Sequence, residues 1–250
     1  MTKTKIEIRE CVTPDELSGC VRLQREVFAM PEVEISPVRH FIVTRHAGGF
    51  TLGAFYDGQL VGFVLSVLAY KGNEKIFYSH MTAVDKNFQN LGIGTKLKWS
   101  QRERALKENV DYIKWTFQPV KARNAYFNLE KLGAVVREYH PNFYGTDYGA
   151  FPDEENTIGI ESDRLFAEWE LNSERVRKLA VGESDTHIGD FVLRIRTLND
   201  WQETARSDPK KAIAEQTRIK ADFENAFSNN LVCRGFERDD ETPNFLLFSR

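Results

Sequence analysis

Residues 80 to 110 read HMTAVDKNFQNLGIGTKLKWSQRERALKENV, and this stretch decides how the rest of the chain is laid out. An apolar run ends at Val84, a polar turn follows, and Gln89-Asn90-Leu91-Gly92-Ile93-Gly94-Thr95 opens a long segment with few helix breakers. The pattern predicts strand, loop, helix. The first backbone N–H groups of such a helix have no intrahelical partner and point along the positive end of its dipole, so Leu91 to Thr95 can hold an anion. Gly92 and Gly94 let the backbone come close to it. A Walker loop is excluded because no Gly-Lys-Ser/Thr follows, and GxGxxG fails at Leu97.

Outward from this loop, Lys3 to Cys11 alternates as a first strand, and Thr13-Pro14-Asp15-Glu16 combines an N-cap, a proline at the first helical position and a capping-box glutamate. The helix it starts carries Leu17, Val21, Gln24 and Phe28 on one stripe. Ser36-Pro37 starts a second short helix that stops at Gly48-Gly49. Asp57-Gly58 between FTLGAFY and QLVGFVLSVLAY predicts a type I′ hairpin, whose apolar second strand reads as central. Ile76 to Val84 is the fourth strand and Tyr112 to Phe117 the fifth. A helix over 122–132 ends at Gly133, and Ala134 to Tyr139 reads as a sixth strand.

The pattern Gln89-x-x-Gly92-x-Gly94 after a strand resembles the acyl-CoA-binding loop of the GNAT superfamily of N-acyltransferases, and the element order around it, over about residues 4 to 140, resembles the GNAT arrangement. The resemblance implies an α/β (α+β) fold: a central mixed, mostly antiparallel sheet flanked by helices, with residues 1–171 as the acyl-CoA-binding catalytic domain. It implies acetyl-CoA as co-substrate and an amine of a small molecule or peptide as acceptor. By position it assigns the backbone of Thr82 and Val84 to the pantetheine arm, and Gln89, Leu91, Gly92, Ile93, Gly94 and Thr95 to the phosphates. Lys96 and Lys98 add charge there or form a solvated face.

The reaction is attack of a neutral amine on a thioester, which needs a base for the ammonium and stabilisation of an oxyanion. Relatives place the base on the fourth strand, where this chain has Tyr78 and His80; His80 titrates near neutral pH and suits the task. The same histidine also fits a plain structural strand position. The family's acid is a tyrosine four residues before the glycine that ends the fourth helix. Leu129 stands there, so Tyr126, one turn earlier, is the substitute, unless it simply packs on the sheet. Where the family has an asparagine, eleven before that glycine, this chain has Ala122, and Asn124 compensates. Glu32 and Glu34 fall in a region that walls the acceptor pocket in relatives, and read equally as surface charge. The departures leave a non-catalytic acyl-CoA-binding module as the rival reading, and a nucleotide-binding regulator as a third.

From His140 to Ser162 a Gly, Pro and Asp-rich loop carries Phe143, Tyr144, Tyr148 and Phe151, more aromatics than a linker needs. Arg164 to Leu171 alternates as a strand. Residues 172–250 form an α/β extension packed on the first domain: a charged segment from Ser173 to Thr186, a strand from Phe191 to Ile195, a helix starting at Asp208-Pro209, and a closing hairpin over Leu231–Phe236 and Asn244–Phe248 whose strands are expected at an edge of the first sheet. The 250 residues carry a net charge of -3, which argues against nucleic acid, and no apolar run is long enough for a membrane span. The start lacks the apolar core of a signal peptide. Cys11, Cys20 and Cys233, without CxxC spacing, and the scattered His40, His46, His80, His140 and His187 suggest no metal, and point to reduced thiols in the cytoplasm. A homodimer is left open.

Overall fold

Thr13 and Glu16 build the cap that starts the first helix. The Glu16 amide donates to Thr13 Oγ1 at 3.2 Å, while Glu16 Oε2 accepts from Thr13 N at 3.1 Å and Val12 N at 2.9 Å. The resulting helix, α1, runs Pro14–Phe28 and follows β1, Glu7–Glu10. This computed structural model describes residues 6–28, 30–148, 159–184, 190–239 and 241–250; Lys3 at the start of the expected first strand, Phe151 of the aromatic loop and Thr186 lie outside the described residues. Contacts divide the chain into two units, Met1–Lys114 and Trp115–Arg250.

In the first unit α2 (Val38–His46) is followed by β2 (Phe50–Tyr56), β3 (Gln59–Lys71) and β4 (Glu74–Val84). These strands pair antiparallel in the order β1-β2-β3-β4. Asp57 and Gly58 both take positive φ, 48° and 79°, as a type I′ turn requires. After β4 come α3 (Ile93–Leu106) and β5 (Tyr112–Phe117). β5 pairs β4 in parallel at Phe77 with Ile113 and Tyr78 with Lys114. α1 and α2 bury Leu17, Leu23 and Phe41 with Phe63, Leu65 and Ala83 of the sheet, and α3 packs on β2, β3 and β4 through Ile93, Leu97 and Ala105. Burying each large apolar side chain contributes about 1.5–3 kcal/mol.

One register break shapes β4. Leu65 faces Met81 and Ser66 faces Ser79, so His80 is an extra residue, a β-bulge. A bulge bends its strand and re-aims the side chain it carries.

In the second unit, α4 (Ala122–Tyr126) runs into one π turn, Phe127–Lys131, closed by the Leu132 amide on Phe127 O at 3.1 Å, and ends at Gly133 with φ 72°. The expected sixth strand over 134–139 is corrected. Val135 bridges Glu168, Val136 bridges Cys233, and only Tyr139–His140 forms a strand, β6, paired with β7 (Arg164–Glu170). Adjacent residues that bond to different strands cannot continue one ladder. β5, β7 and β6 are neighbours in that order.

The extension contributes α5 (Glu174–Ala180), β8 (Leu193–Arg196), α6 (Trp201–Ser207), α7 (Pro209–Ser228), β9 (Leu231–Glu237) and β10 (Asn244–Ser249). The helix α6 has no counterpart in the sequence reading. The closing hairpin forms, but it joins β8 in a separate three-stranded sheet, β8-β10-β9, in place of the expected edge pairing. Its tie to residues 115–171 is made by the Val136–Cys233 bridge, by Glu130 Oε1 accepting from Phe236 N at 2.6 Å, by Thr197 Oγ1 donating to Pro119 O at 3.2 Å, and by Gln216 Nε2 donating to Glu161 O at 2.6 Å. Trp169, fully buried, donates its indole N–H to Leu132 O and stands edge-on to Trp115.

Candidate active site

The loop before α3 is held in shape by side chains and glycines. Asp85 caps its first turn by accepting from Asn87 N at 2.9 Å, and Gln89 Nε2 donates to Val84 O at 3.0 Å, so that side chain staples the loop to β4. Asn90 and Gly92 both sit at positive φ, 63° and 75°, and Gly92 is the N-cap of α3. The first helical bond is Lys96 N–H to Gly92 O at 3.0 Å, which leaves the amides of Gly92, Ile93, Gly94 and Thr95 ahead of the ladder. Nothing lies within 4 Å of where a Gly92 Cβ would stand, and Gly94 meets only Val84 Cγ2 at 4.0 Å. An anion at this place would meet amides free of helical bonds, open space and the positive end of the helix dipole. Thr82 and Val84 lie just before the loop on β4, facing Val64 and Gly62 across the ladder.

Lys98 departs from the expectation of a solvated or phosphate-facing lysine. It is 2% exposed, and its Nζ donates to Gln101 Oε1 at 2.7 Å and Ser79 Oγ at 3.0 Å; Gln101 Nε2 donates in turn to Ser66 Oγ and Ser79 Oγ. Burial holds its pKa well below the usual lysine range. The cluster bonds the two serines, Ser66 and Ser79, that face each other beside the bulge.

His80 stands on that bulge, open to solvent on one side. The protein packed around the rest of the ring disfavours the imidazolium, and His40 adds like-charge repulsion, so the His80 pKa lies below the ordinary value. The His40 and His80 ring centroids are 5.9 Å apart at 65°. His40 belongs to the first turn of α2, and the sequence reading passed over it; the only signal was the Ser36-Pro37 start, which puts residue 40 next to the segment carrying Glu32 and Glu34. Glu32 pairs with Arg25 at 2.6 and 3.0 Å on the surface, whereas Glu34 and His40 line one cleft of about 480 Å³. Tyr78 is half-buried on the same strand as His80.

In the second unit Tyr126 is half-buried at the end of α4, with the Arg238 guanidinium 3.9 Å and the Lys131 ammonium 5.5 Å from its ring centroid. Asn124 is exposed, two residues before it. Leu129 is wholly buried in the π turn, and its neighbour Asn128 accepts the Trp115 indole N–H at 3.2 Å. Lys121, the N-cap of α4, has its pKa lowered by burial and then by Arg164. Among the loop aromatics, Tyr144 and Tyr148 stack at 4.7 Å and Phe143 meets both Tyr144 and Phe166. Among the described residues no group of histidine, cysteine, aspartate or glutamate side chains could hold a metal, and no helix is long and apolar enough to cross a membrane.

A mostly antiparallel sheet flanked by helices, with a bulged fourth strand leading into a helix N-terminus opened by glycines, is the framework that carries these residues. Residues 16–134 match the model of the acetyltransferase (GNAT) family. The reaction class follows with it: acyl transfer, with acetyl-CoA as the family's co-substrate. The fold is similar to that of a GNAT-family protein from Desulfovibrio desulfuricans (14% identity, TM-score 0.55, covering 67% of this chain and 99% of that one). It is similar also to the ribosomal-protein-S18-alanine N-acetyltransferase of Escherichia coli (16%, 0.51, 66% and 93%) and to the ribosomal-protein-alanine N-acetyltransferase of Brucella melitensis (19%, 0.52, 66% and 99%). Among curated proteins none matches the chain in sequence.

Proposed function

We propose that this protein is an N-acetyltransferase that moves the acetyl group of acetyl-CoA to the amine of a small molecule or peptide. The observation that carries the reading is the cradle at the start of α3, where Gly92 at φ 75° turns four amides ahead of the helical ladder toward open space. The backbone of Thr82 and Val84 holds the pantetheine arm; the amides of Gln89, Leu91, Gly92, Ile93, Gly94 and Thr95 hold the pyrophosphate; and Asn124 adds a polar contact to the cofactor. His80 takes the proton of the acceptor ammonium. The free amine then attacks the thioester carbonyl, the C–N bond forms, the C–S bond breaks, Tyr126 protonates the departing thiolate, and the surplus proton on the acylated nitrogen passes to the Tyr126 oxygen. The family domain takes in residues 1–171, residues 172–250 are an extension packed on it, and the protein works in the cytoplasm.

The test is release of the CoA thiol from acetyl-CoA across a panel of small amines and N-terminal peptides. Turnover with at least one amine, matched by a mass gain of one acetyl group on it, supports the reading. Tight acetyl-CoA binding with no turnover on any primary amine would mean a binding module instead.

A further inference from the structure

Ser79 and Met81 stand two residues apart on β4, yet they point to opposite faces of the sheet. A regular strand puts residues i and i+2 on one face. Ser79 Oγ meets Lys98 Nζ and Gln101 Nε2, both from α3 and both at 3.0 Å, whereas Met81 packs into the apolar cluster to which α1 and α2 bring Leu17 and Phe41. On β3 the same change of face takes a single step, from Ser66, whose Oγ accepts from Gln101 Nε2 at 2.7 Å, to Leu65 in that apolar cluster. The extra residue that reconciles the two strands is His80.

Main-chain pairing alone does not hold a bulge at one residue, and moving the extra residue along β4 would change which side chains face which helices. After the bulge, Met81 and Ala83 are fixed by apolar packing. Before it, Ser79 is fixed by polar partners on α3. Gln101 is the hub: its Oε1 accepts from Lys98 at 2.7 Å, its Nε2 serves both serines, and all four side chains are buried. Such a buried cluster contributes little stability compared with well-packed apolar side chains. What it supplies is discrimination, because another alignment would withdraw the Ser79 hydroxyl and leave buried donors and acceptors unmatched.

We propose that Lys98, Gln101, Ser66 and Ser79 form a clamp that fixes the bulge at residue 80 and so keeps the His80 ring where it meets the acceptor ammonium. The four are positioning residues, and their catalytic role rests on the acetyltransferase reading above with His80 as its base. No proton passes through them. A bulge displaced by one residue would carry the ring through about 3.3 Å, the rise of one strand residue, where a misplacement of about 1 Å is enough to cost on the order of 10²-fold in rate. Thr82 and Val84 lie beyond the bulge, on the part of β4 held by Met81 and Ala83, so cofactor binding is independent of the clamp.

The experiment makes the whole clamp apolar in one full-length variant, Ser66→Ala, Ser79→Ala, Lys98→Met and Gln101→Leu together, so that none of the four is left with an unmatched group. Cross-strand NOEs read the register, urea denaturation the stability, and steady-state kinetics kcat and the KM for acetyl-CoA. The variant should be at least as stable as the parent, and its Leu65–Met81 and Ser66–Ser79 contacts should be mixed with those of another alignment. Its kcat should fall on the order of 10²-fold while the KM for acetyl-CoA stays within about threefold. Ser79→Thr, which keeps the hydroxyl, should retain the parent's register and rate, and Ser79→Ala should not; that pair decides the matter if the fourfold variant does not fold. The parent's register surviving without the clamp overturns the proposal whatever the rate. A displaced register with the parent's kcat overturns the positioning role. A parent inactive on every amine sinks the acetyltransferase reading and the catalytic role with it, while the NOEs still decide whether these residues hold the bulge.

Discussion

Lys98 Nζ donates to Ser79 Oγ at 3.0 Å, inside the core of the first unit and one residue from the bulged His80. Burial drives the pKa of this amine well below 10.5, so the unfolded chain binds a proton that the folded one resists. The stability tied to Lys98 is therefore fully present only above the ordinary lysine value and is lost as pH falls through the folded-state value. Lys98→Met is expected to be more stable than the parent near neutral pH, by on the order of 1–3 kcal/mol, since Ser79, Ser66 and Gln101 still bond one another. Urea melts of both proteins from pH 6 to pH 9 (roughly the span below a lysine's usual range) should converge as pH rises. A variant less stable at every pH would show that the amine holds the strands together.

Gly92→Val addresses the cradle. Its Cβ meets no atom, so the penalty is the left-handed backbone at φ 75°, about 1–2 kcal/mol for a β-branched residue. The chain should stay folded with α3 starting differently, and the rise in melting temperature that acetyl-CoA gives the parent should vanish. Differential scanning fluorimetry with and without acetyl-CoA decides it; an undiminished shift means the pyrophosphate is held elsewhere.

His80→Ala and Tyr126→Phe should each lower turnover about 10²- to 10⁴-fold and leave acetyl-CoA affinity nearly unchanged. Because His80 is held below the usual histidine value, its neutral form persists further into acid than an ordinary histidine would, and the acid limb of the parent's profile should lie correspondingly low. In folding, the same depression gives stability that is present above 6.5 and lost as pH falls through the folded-state value. Steady-state rates across pH, with CoA affinity by calorimetry, check both variants. Two variants with the parent's rate and profile would show that the protons travel by other groups or by water.

The capping box at α1 gives a separate stability test. Burial opposes ionisation of Glu16, but the amides of Val12 and Thr13 and the guanidinium of Arg9 outweigh it and hold the carboxyl at about 2. Its contribution is complete above 4.5 and lost as pH falls through about 2. Glu16→Gln should cost about 1 kcal/mol at neutral pH, a difference that shrinks in acid, measured by chemical denaturation at pH 7 and in strong acid.

Residues 172–250 should not come away whole. The Val136–Cys233 bridge and the bonds from Phe236, Thr197 and Gln216 hold them to residues 115–171. Limited proteolysis is expected to yield no soluble fragment from this part; a stable one, with acetyl-CoA binding retained by the remainder, would contradict the coupling.

Local chemistry made much of this legible in the sequence. The Asp57-Gly58 turn, the Thr13/Glu16 cap and the glycines before α3 each demand a backbone conformation that few other residues supply, and all three formed as read. What escaped was set by partners distant in sequence. The bulge at His80 is a matter of pairing register, invisible to an alternation that tolerates one extra residue. Lys98 has a charged residue's look and a core residue's place, because Ser79 and Gln101 receive its amine and Gln101 is bonded in turn to Ser66. Val135 and Val136 read as one strand and bond to two, a choice made by β7 and β9. His40 became a candidate only when folding brought it beside His80.

The π turn at the end of α4 changes how residues on this helix are counted. Its i to i+5 closure, Leu132 N–H to Phe127 O, spends one more residue on the turn than a regular helix does. Counting back from Gly133 as though the helix were regular therefore lands one residue late. The place a regular relative fills four residues before its terminal glycine corresponds here to Asn128, whose carboxamide is spent on Trp115, while the added register buries Leu129 beside it. Neither carries a hydroxyl, so the proposed acid role falls to Tyr126, the tyrosine that precedes the π turn.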